Sequence, residues 1–220
     1  MEKTAIKPPM VSAEITAPFR PPPQAMMREM LSRLGIPAVH LIGPPGSGKT
    51  ELILATLKSL PTPSRVAVIV VNPAAQRDAH RLRQHCRQVE FVDAPVPRAA
   101  SVWNLVQQLP LKEIDLVLIE TCGGLAPLED LGQNATVAVF AFCGGDDKAA
   151  EYHALVKNSA AVILTQIDMR PMVKFNERVF EEDVRTVNAN AQIISLSAVT
   201  GIGMHQWLDW LTEALAMKKR

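Results

Sequence analysis

The chain has 220 residues, enough for one domain with a sizeable core. Lys and Arg number 23 against 22 Asp and Glu, a formal net charge of +1, so no global field marks a nucleic-acid or polyanion partner. No apolar run approaches the roughly 18 to 20 residues of a membrane span, so no membrane partner is expected; the three cysteines, with no secretory-signal pattern ahead of them, point to a reducing cytoplasm instead of a disulfide framework.

Eleven of the 17 prolines lie in the first 63 residues. Pro8, Pro9, Pro18, Pro21, Pro22 and Pro23 remove backbone donors and disfavour helix at each preceding residue. This predicts an extended, mobile arm over residues 1–23, a solvated tail or a short partner-docking segment, ahead of a single domain over 24–220. A helix over about 24–34, stopped by Gly35, leads into that domain. Beyond it, strand-length apolar runs at 38–42, 66–71, 89–92, 114–119, 136–142, 161–164 and 192–196 alternate with helix-length stretches at 49–59, 78–88, 99–109, 148–158 and 203–217. The runs are mostly continuous and rich in Val and Ile, the pattern of strands buried on both faces. The last stretch sets Trp207, Trp210, Leu211 and Leu215 at helical spacing. Strand, helix, strand repeated in this way predicts an α/β fold of three layers. A mostly parallel, doubly wound sheet of about seven strands lies between helices, with the ligand crevice at the C-terminal strand ends.

Gly43-Pro44-Pro45-Gly46-Ser47-Gly48-Lys49-Thr50 has the spacing of a P-loop, and it falls between an expected strand and an expected helix. Glycines let consecutive backbone N–H groups curl around phosphate oxygens, with a helix N-terminus beneath them. Lys49 is then placed to reach the β and γ phosphates, and the Thr50 hydroxyl to bind Mg²⁺. Glu120, expected at the end of the 114–119 strand, is a second Mg²⁺ ligand, direct or through water. Gly123, three residues later, offers a backbone N–H to the γ-phosphate and lets the loop move. The catalytic candidates are therefore Lys49, Thr50, Glu120 and Gly123. A strand-end surface acid is the other reading of Glu120.

Two later loops fall where a base would lie. In Thr165-Gln166-Ile167-Asp168 the aspartate can accept both N1–H and the 2-amino hydrogens of guanine, a bidentate contact that adenine cannot return, which favours GTP. Backbone N–H groups around Ser197 and Ala198, in Ser197-Ala198-Val199-Thr200-Gly201, can meet guanine O6. A helix cap at Asp168 and a plain turn over 197–201 are the alternatives.

In order, these motifs resemble those of the P-loop GTPases that assist metal insertion, nearest to the branch that inserts nickel during hydrogenase maturation and more distantly to the urease nickel GTPases. The resemblance rests on residues 43–50, on Asp78-Ala79-x-Arg81, on Glu120-x-x-Gly123, on Gly145-Asp146-Asp147-Lys148, on the strand into Asp168, and on Ser197-Ala198-x-Thr200-Gly201 followed by Trp207 and Leu211. It covers roughly residues 24–215. It implies a GTP- and GDP-binding, nucleotide-dependent homodimer that hydrolyses GTP slowly with Mg²⁺ while helping to load nickel into a metalloenzyme client, alone or with another maturation factor.

The departures bear on metal and base. Where the family has Gly-Asp after the second strand this chain has Val71-Asn72, so a negative charge beside Mg²⁺ is missing and weaker Mg²⁺ binding is expected. The usual Asn-Lys-x-Asp reads Thr165-Gln166-Ile167-Asp168, which reduces the expected guanine selectivity. The family's Cys-His pair and later cysteine are replaced by Asp93-Ala94-Pro95-Val96-Pro97 and Leu125-Ala126-Pro127, and the proline-rich arm stands where relatives can carry a His-rich tract. Nickel or zinc thus lacks its usual ligands. Cys122 is the best remaining soft ligand, two copies of which a dimer would bring together; the other reading is a small cysteine filling a tight loop. Cys143 and His40 read as core, and His85 and Cys86, adjacent on a helix, do not face one another. Two other functions compete with the GTPase: a degenerate nucleotide-binding scaffold with little hydrolysis, and a small P-loop kinase, disfavoured by the order of the base loops and the scarcity of lid-like arginines.

Overall fold

The computed structural model of the chain describes residues 21–72, 75–94, 97–122 and 129–216; residues 1–20, which make up most of the expected arm, lie outside it. Helix α1 (Pro23–Leu34) starts on a proline, whose missing N–H is no loss in a first turn. It stops at Gly35, which takes a φ of 66° so that Ile36 N–H reaches Leu31 O at 2.9 Å. The strands that follow are β1 (Ala38–Gly43), β2 (Val66–Val71), β3 (Gln88–Val92), β4 (Leu116–Cys122), β5 (Ala135–Ala141), β6 (Ala161–Thr165) and β7 (Gln192–Ser195). Between and after them run α2 (Lys49–Ser59), α3 (Ala75–Arg83), α4 (Ala99–Val106), α5 (Lys148–Glu151), α6 (His153–Lys157), α7 (Glu177–Val187) and α8 (Met204–Ala216).

All seven strands form one sheet in the order β3-β2-β4-β1-β5-β6-β7, and every described pairing is parallel. Side chains alternate between its faces. Val39, Leu41, Val66, Val68, Val70, Leu116 and Leu118 meet Leu52, Ile53 and Leu57 of α2, Leu82 of α3 and Trp207 and Leu211 of α8. The intervening Ala38, Ala67, Ile69, Val117 and Ile119 meet Met27 and Leu31 of α1 and Val102 and Val106 of α4. On the same opposite face, Ala138, Phe140, Val162 and Leu164 meet Leu155 and Val156 of α6 and Phe180 and Val184 of α7. Burial on both faces explains why the strands read as continuous apolar runs; each fully buried Leu, Ile or Val contributes about 1.5–3 kcal/mol. A polar tie crosses the first of these layers. Trp207 Nε1 donates to Thr56 Oγ1 at 2.8 Å, and the Thr56 hydroxyl donates to Leu52 O at 2.6 Å, fastening α8 to α2.

Four local expectations need correcting. Strand β4 begins two residues later than expected and continues past Glu120 to Cys122, pairing in register with Gly43 at its end, so Glu120 lies inside a strand. The single helix expected over 148–158 is two pieces broken at Tyr152, whose ring packs edge-on against Phe140 with centroids 6.5 Å apart. Helix α7 was not anticipated: its apolar residues are diluted by charge, yet Phe180 and Val184 at i, i+4 bury one side, and the Asn176 side chain accepts the Val179 N–H at its start. Cys143 is exposed, in a short 3₁₀ turn after β5, where core burial was expected.

Candidate nucleotide site

The central strand β1 runs into a tight loop that opens α2 at Lys49. Gly46 and Gly48 take φ values of 76° and 85°, conformations that favour glycine. Gly43 has a different reason for lacking a side chain: a Cβ there would lie 2.2 Å from Val139 O of β5 and 2.8 Å from Ser47 Oγ. The loop thus curls close over the sheet. Lys49, only 4% exposed, turns back across it, with Nζ donating to Gly43 O and Pro44 O at 2.9 Å each and to Ser47 Oγ at 3.1 Å. Burial lowers the Lys49 pKa, opposed by the negative potential of Cys122, Glu120 and Asp78. The ammonium is therefore held in place before any anion arrives.

Thr50 and Glu120, 70 residues apart in sequence, meet directly: the hydroxyl donates to Glu120 Oε1 at 2.6 Å. Glu120 is 2% exposed, and its other oxygen, Oε2, is buried without a hydrogen-bond partner among the described residues. Burial pushes its pKa up to about 7, against the opposing pull of the Thr50 hydrogen bond and the Lys49 charge. An unpaired carboxylate oxygen is costly in such a place unless a cation completes it.

These groups border a cavity of about 540 Å³, into which Asp78, Arg81 and Cys122 also project. Asn72, at the end of β2, donates from Nδ2 to Asp78 Oδ2 at 3.4 Å. The carboxylate absent at position 72 thus has a counterpart from α3 at the same cavity. The Thr50 hydroxyl and the Glu120 and Asp78 carboxylates are hard oxygen donors, and with the orphaned Oε2 they fit Mg²⁺. Cys122 shares the cavity, two residues beyond Glu120 on one strand face; burial raises its thiol pKa. No group of three or more His, Cys, Asp and Glu side chains suited to a metal ion occurs among the described residues.

The two loops expected to meet a base are tied to this centre through Thr165 and Gln166. The buried Thr165 hydroxyl lies 2.7 Å from Ser47 O and 3.1 Å from Phe140 O, sharing its proton between the two carbonyls. Gln166 takes a φ of 61°, the only described non-glycine residue with positive φ, and its Nε2 donates to Gly46 O at 3.2 Å. Asp168 caps no helix: it sits half-buried inside a 3₁₀ turn whose closing bonds are backbone to backbone. Ser197 is engaged in its own turn, with its N–H donating to Ile202 O at 2.8 Å and its hydroxyl accepting Thr200 N–H at 3.2 Å. Ile167 N–H reaches Leu196 O at 3.4 Å, so the two base loops are joined.

Sequence reasoning missed the Thr165 tie, the Asn72–Asp78 bond and the ion pair of Arg81 with Glu51. The i, i+3 spacing of Asp78 and Arg81 was the available signal, since it sets both on one helix side. Gly123 and residues 125–127 lie outside the described residues. Of the remaining candidates, Cys86 is buried with Sγ donating to Val66 O at 2.9 Å. His40 is a satisfied core histidine, with Nε2 paired to Thr121 Oγ1 at 2.8 Å and its pKa lowered by burial to about 3.

Residues 37–195 match the family model described as CobW/HypB/UreG, nucleotide-binding domain. The chain belongs to this family. Among curated members, it is 33% identical over 178 residues to the hydrogenase maturation factor HypB of Escherichia coli (strain K12), covering 79% of this chain and 61% of that protein. It is 28% identical over 193 residues to the probable hydrogenase maturation factor HypB of Methanocaldococcus jannaschii, covering 86% and 87% of the two. The chain thus spans about three-fifths of the first of these relatives. Among solved structures, HypB from Archaeoglobus fulgidus superposes with a TM-score of 0.80 at 24% identity, covering 88% of this chain and 97% of that one. HypB from Helicobacter pylori in complex with nickel gives 0.81 at 23%, covering 89% and 94%. The CobW/HypB/UreG domain therefore spans β1 to β7, the whole sheet.

Proposed function

We propose that the chain is a GTP-binding, slowly GTP-hydrolysing accessory protein that helps insert nickel into a metalloenzyme during hydrogenase maturation. The observation that carries this reading is the Thr50–Glu120 pair with its orphaned buried oxygen, set against a preformed Lys49 cradle in a CobW/HypB/UreG domain. Lys49 and the loop N–H groups would bind the β and γ phosphates. Thr50 and Glu120, with Asp78 beside them, would hold Mg²⁺, which when bound neutralises phosphate charge. Asp168 and the Ala198 N–H would read guanine, with Gln166 and Thr165 keeping the base loops fixed to the phosphate loop. Gly123 would meet the γ-phosphate, as its place three residues after Glu120 implies.

The likeness to HypB maturation factors supports a hydrogenase client, and the fold shared with a HypB solved in complex with nickel is in keeping with a nickel cargo; the cytoplasm is the compartment proposed with them. A nucleotide-dependent homodimer is part of the same proposal; it would place two Cys122 thiols near one another as the soft-metal site. The proline-rich residues 1–23 would then be an appendage to a nucleotide domain over 24–220. Asn72 favours a second reading, a nucleotide-binding scaffold with little turnover, since the proposed Mg²⁺ site has one carboxylate fewer just past β2.

Titration with labelled GTP and ATP, with phosphate release followed in parallel, tests the reading. GTP is expected to bind more tightly than ATP, with Lys49→Ala weakening binding about 100-fold or more through loss of a charge-assisted contact in a buried site. Release of phosphate that disappears in Glu120→Ala retires the scaffold reading, whereas undiminished affinity in Lys49→Ala overturns the nucleotide site itself. Nickel titration of the wild type and Cys122→Ala, with a non-hydrolysable GTP analogue, decides the thiol's part: equal stoichiometry and affinity would remove it.

A further inference from the structure

Lys49 and Arg81 are the cations bordering the phosphate cavity among the described residues. Lys49 is already turned onto Gly43 O, Pro44 O and Ser47 Oγ, in place to hold the phosphates of the ground state. Arg81 is differently held. It comes from α3, and its guanidinium is ion-paired with Glu51, the residue after Thr50, where both side chains are about half exposed, at 44% and 50%. An ion pair exposed to this degree is weak and exchanges readily for a partner of higher charge. A triphosphate bound at Lys49 and Thr50 would be such a partner: the guanidinium's parallel N–H donors match phosphoryl oxygens as well as they match a carboxylate, and the triphosphate carries more negative charge than Glu51. Asp78, one helical turn before Arg81, is bonded to Asn72 just past the end of β2, so α3 is anchored to the sheet end beside the arginine.

We propose that Arg81 is a catalytic residue of hydrolysis: with nucleotide bound it exchanges Glu51 for the terminal phosphate of the same chain's GTP. The inference rests on the GTPase reading above. In the reaction, the oxygen of water bonds to the γ-phosphorus while the bond from that phosphorus to the β–γ bridging oxygen breaks. The bond's electron pair stays on the β-phosphate of GDP, and the water's proton passes through inorganic phosphate to solvent. The guanidinium opposes the negative charge that gathers on the γ and bridging oxygens as that bond lengthens, a contact stronger in the transition state than in the bound substrate. Glu51 holds the side chain at the cavity rim when no nucleotide is present.

The test compares wild type, Arg81→Ala, Arg81→Lys and, as a control, Arg178→Ala, whose partner Glu182 is on the exposed side of α7. Three quantities are read: affinity for a non-hydrolysable GTP analogue, single-turnover phosphate release, and capture of GDP with aluminium fluoride as a transition-state mimic. Arg81→Ala should lower turnover about 100-fold or more and lose the aluminium fluoride complex, while analogue affinity stays within about threefold. Arg81→Lys should recover part of the turnover, and Arg178→Ala should match the wild type. Wild-type turnover in Arg81→Ala, or a parallel loss of affinity and turnover, overturns the assignment and leaves the GTPase reading intact. A wild type that neither binds GTP nor releases phosphate instead removes the GTPase reading, and Arg81's role with it.

Discussion

Glu120 concentrates the chemistry of the site in one side chain. One oxygen is satisfied by Thr50 and the other is buried without a partner among the described residues, so the carboxyl prefers its proton in the metal-free protein. With its pKa raised from 4.5 to about 7, the folded protein keeps a proton that the unfolded chain has released in that interval. Stability of the nucleotide- and metal-free protein should therefore fall as pH rises through that window, by about 3 kcal/mol in total. Glu120→Gln removes the titration. In the presence of a chelator, the difference in Tm between about pH 5.5 and about pH 8 should shrink markedly in the variant; an unchanged difference means that the carboxyl is solvated. Sequence spacing located Glu120 and its partner Thr50, because a P-loop hydroxyl and a later acidic residue are visible as residue types. It did not reveal Asp78 as the neighbouring carboxylate, since that contact depends on where α3 lies against β2.

At the level of elements, the sheet could be read from continuous Val and Ile runs because both of its faces are covered. Helix α2 matched its expected bounds, opened by the phosphate loop and closed before the Pro-containing turn at 60–63. Helix α7 escaped because its identity depends on a narrow buried stripe, Phe180 and Val184, set in charged sequence. The junction of β6 with the phosphate loop was equally hidden. Replacing a conventional asparagine by Thr165 looks like a loss, yet its hydroxyl reaches Ser47 O over a separation of 118 residues. Thr165→Val keeps the shape but removes the donor. The variant should be less stable by about 1–3 kcal/mol, because two buried carbonyls lose their shared proton, and its nucleotide affinity should drop while Thr165→Ser retains both. Chemical denaturation and nucleotide titration of the two variants check this; indistinguishable Val and Ser variants would show that the hydroxyl does not tie the loops.

For the molecule as a whole, the phosphate loop lies between two neighbours of β1, and its contacts reach β4, β5 and β6. A ligand bound there engages the folded state across most of the sheet and has no comparable site on the unfolded chain. Mg²⁺ with GTP at about 100 times its dissociation constant should accordingly raise stability by about 2.7 kcal/mol. Thermal melts with GTP, ATP and Mg²⁺ alone check the prediction, with the largest increase expected for GTP and Mg²⁺ together. An equal rise with ATP would mean that Asp168 does not select the base. The loops proposed to read the base were only partly legible: the position of Asp168 could be read from the sequence, but the backbone turn that occupies the Ser197 N–H could not.

The bond between Trp207 and Thr56 has an optical consequence. Indole emission responds to the hydrogen bonding of its Nε1 and to nearby quenchers, and Trp207 is buried, stacked on Trp210 at a centroid distance of 5.3 Å, with its Nε1 fixed to the helix that begins at Lys49. Any shift of that helix when its N-terminus closes on phosphate changes the surroundings of the indole. With Trp103, which packs on the far side of the sheet, replaced by phenylalanine, the stacked pair Trp207 and Trp210 supplies the remaining indole emission, an intrinsic reporter of nucleotide occupancy that needs no label.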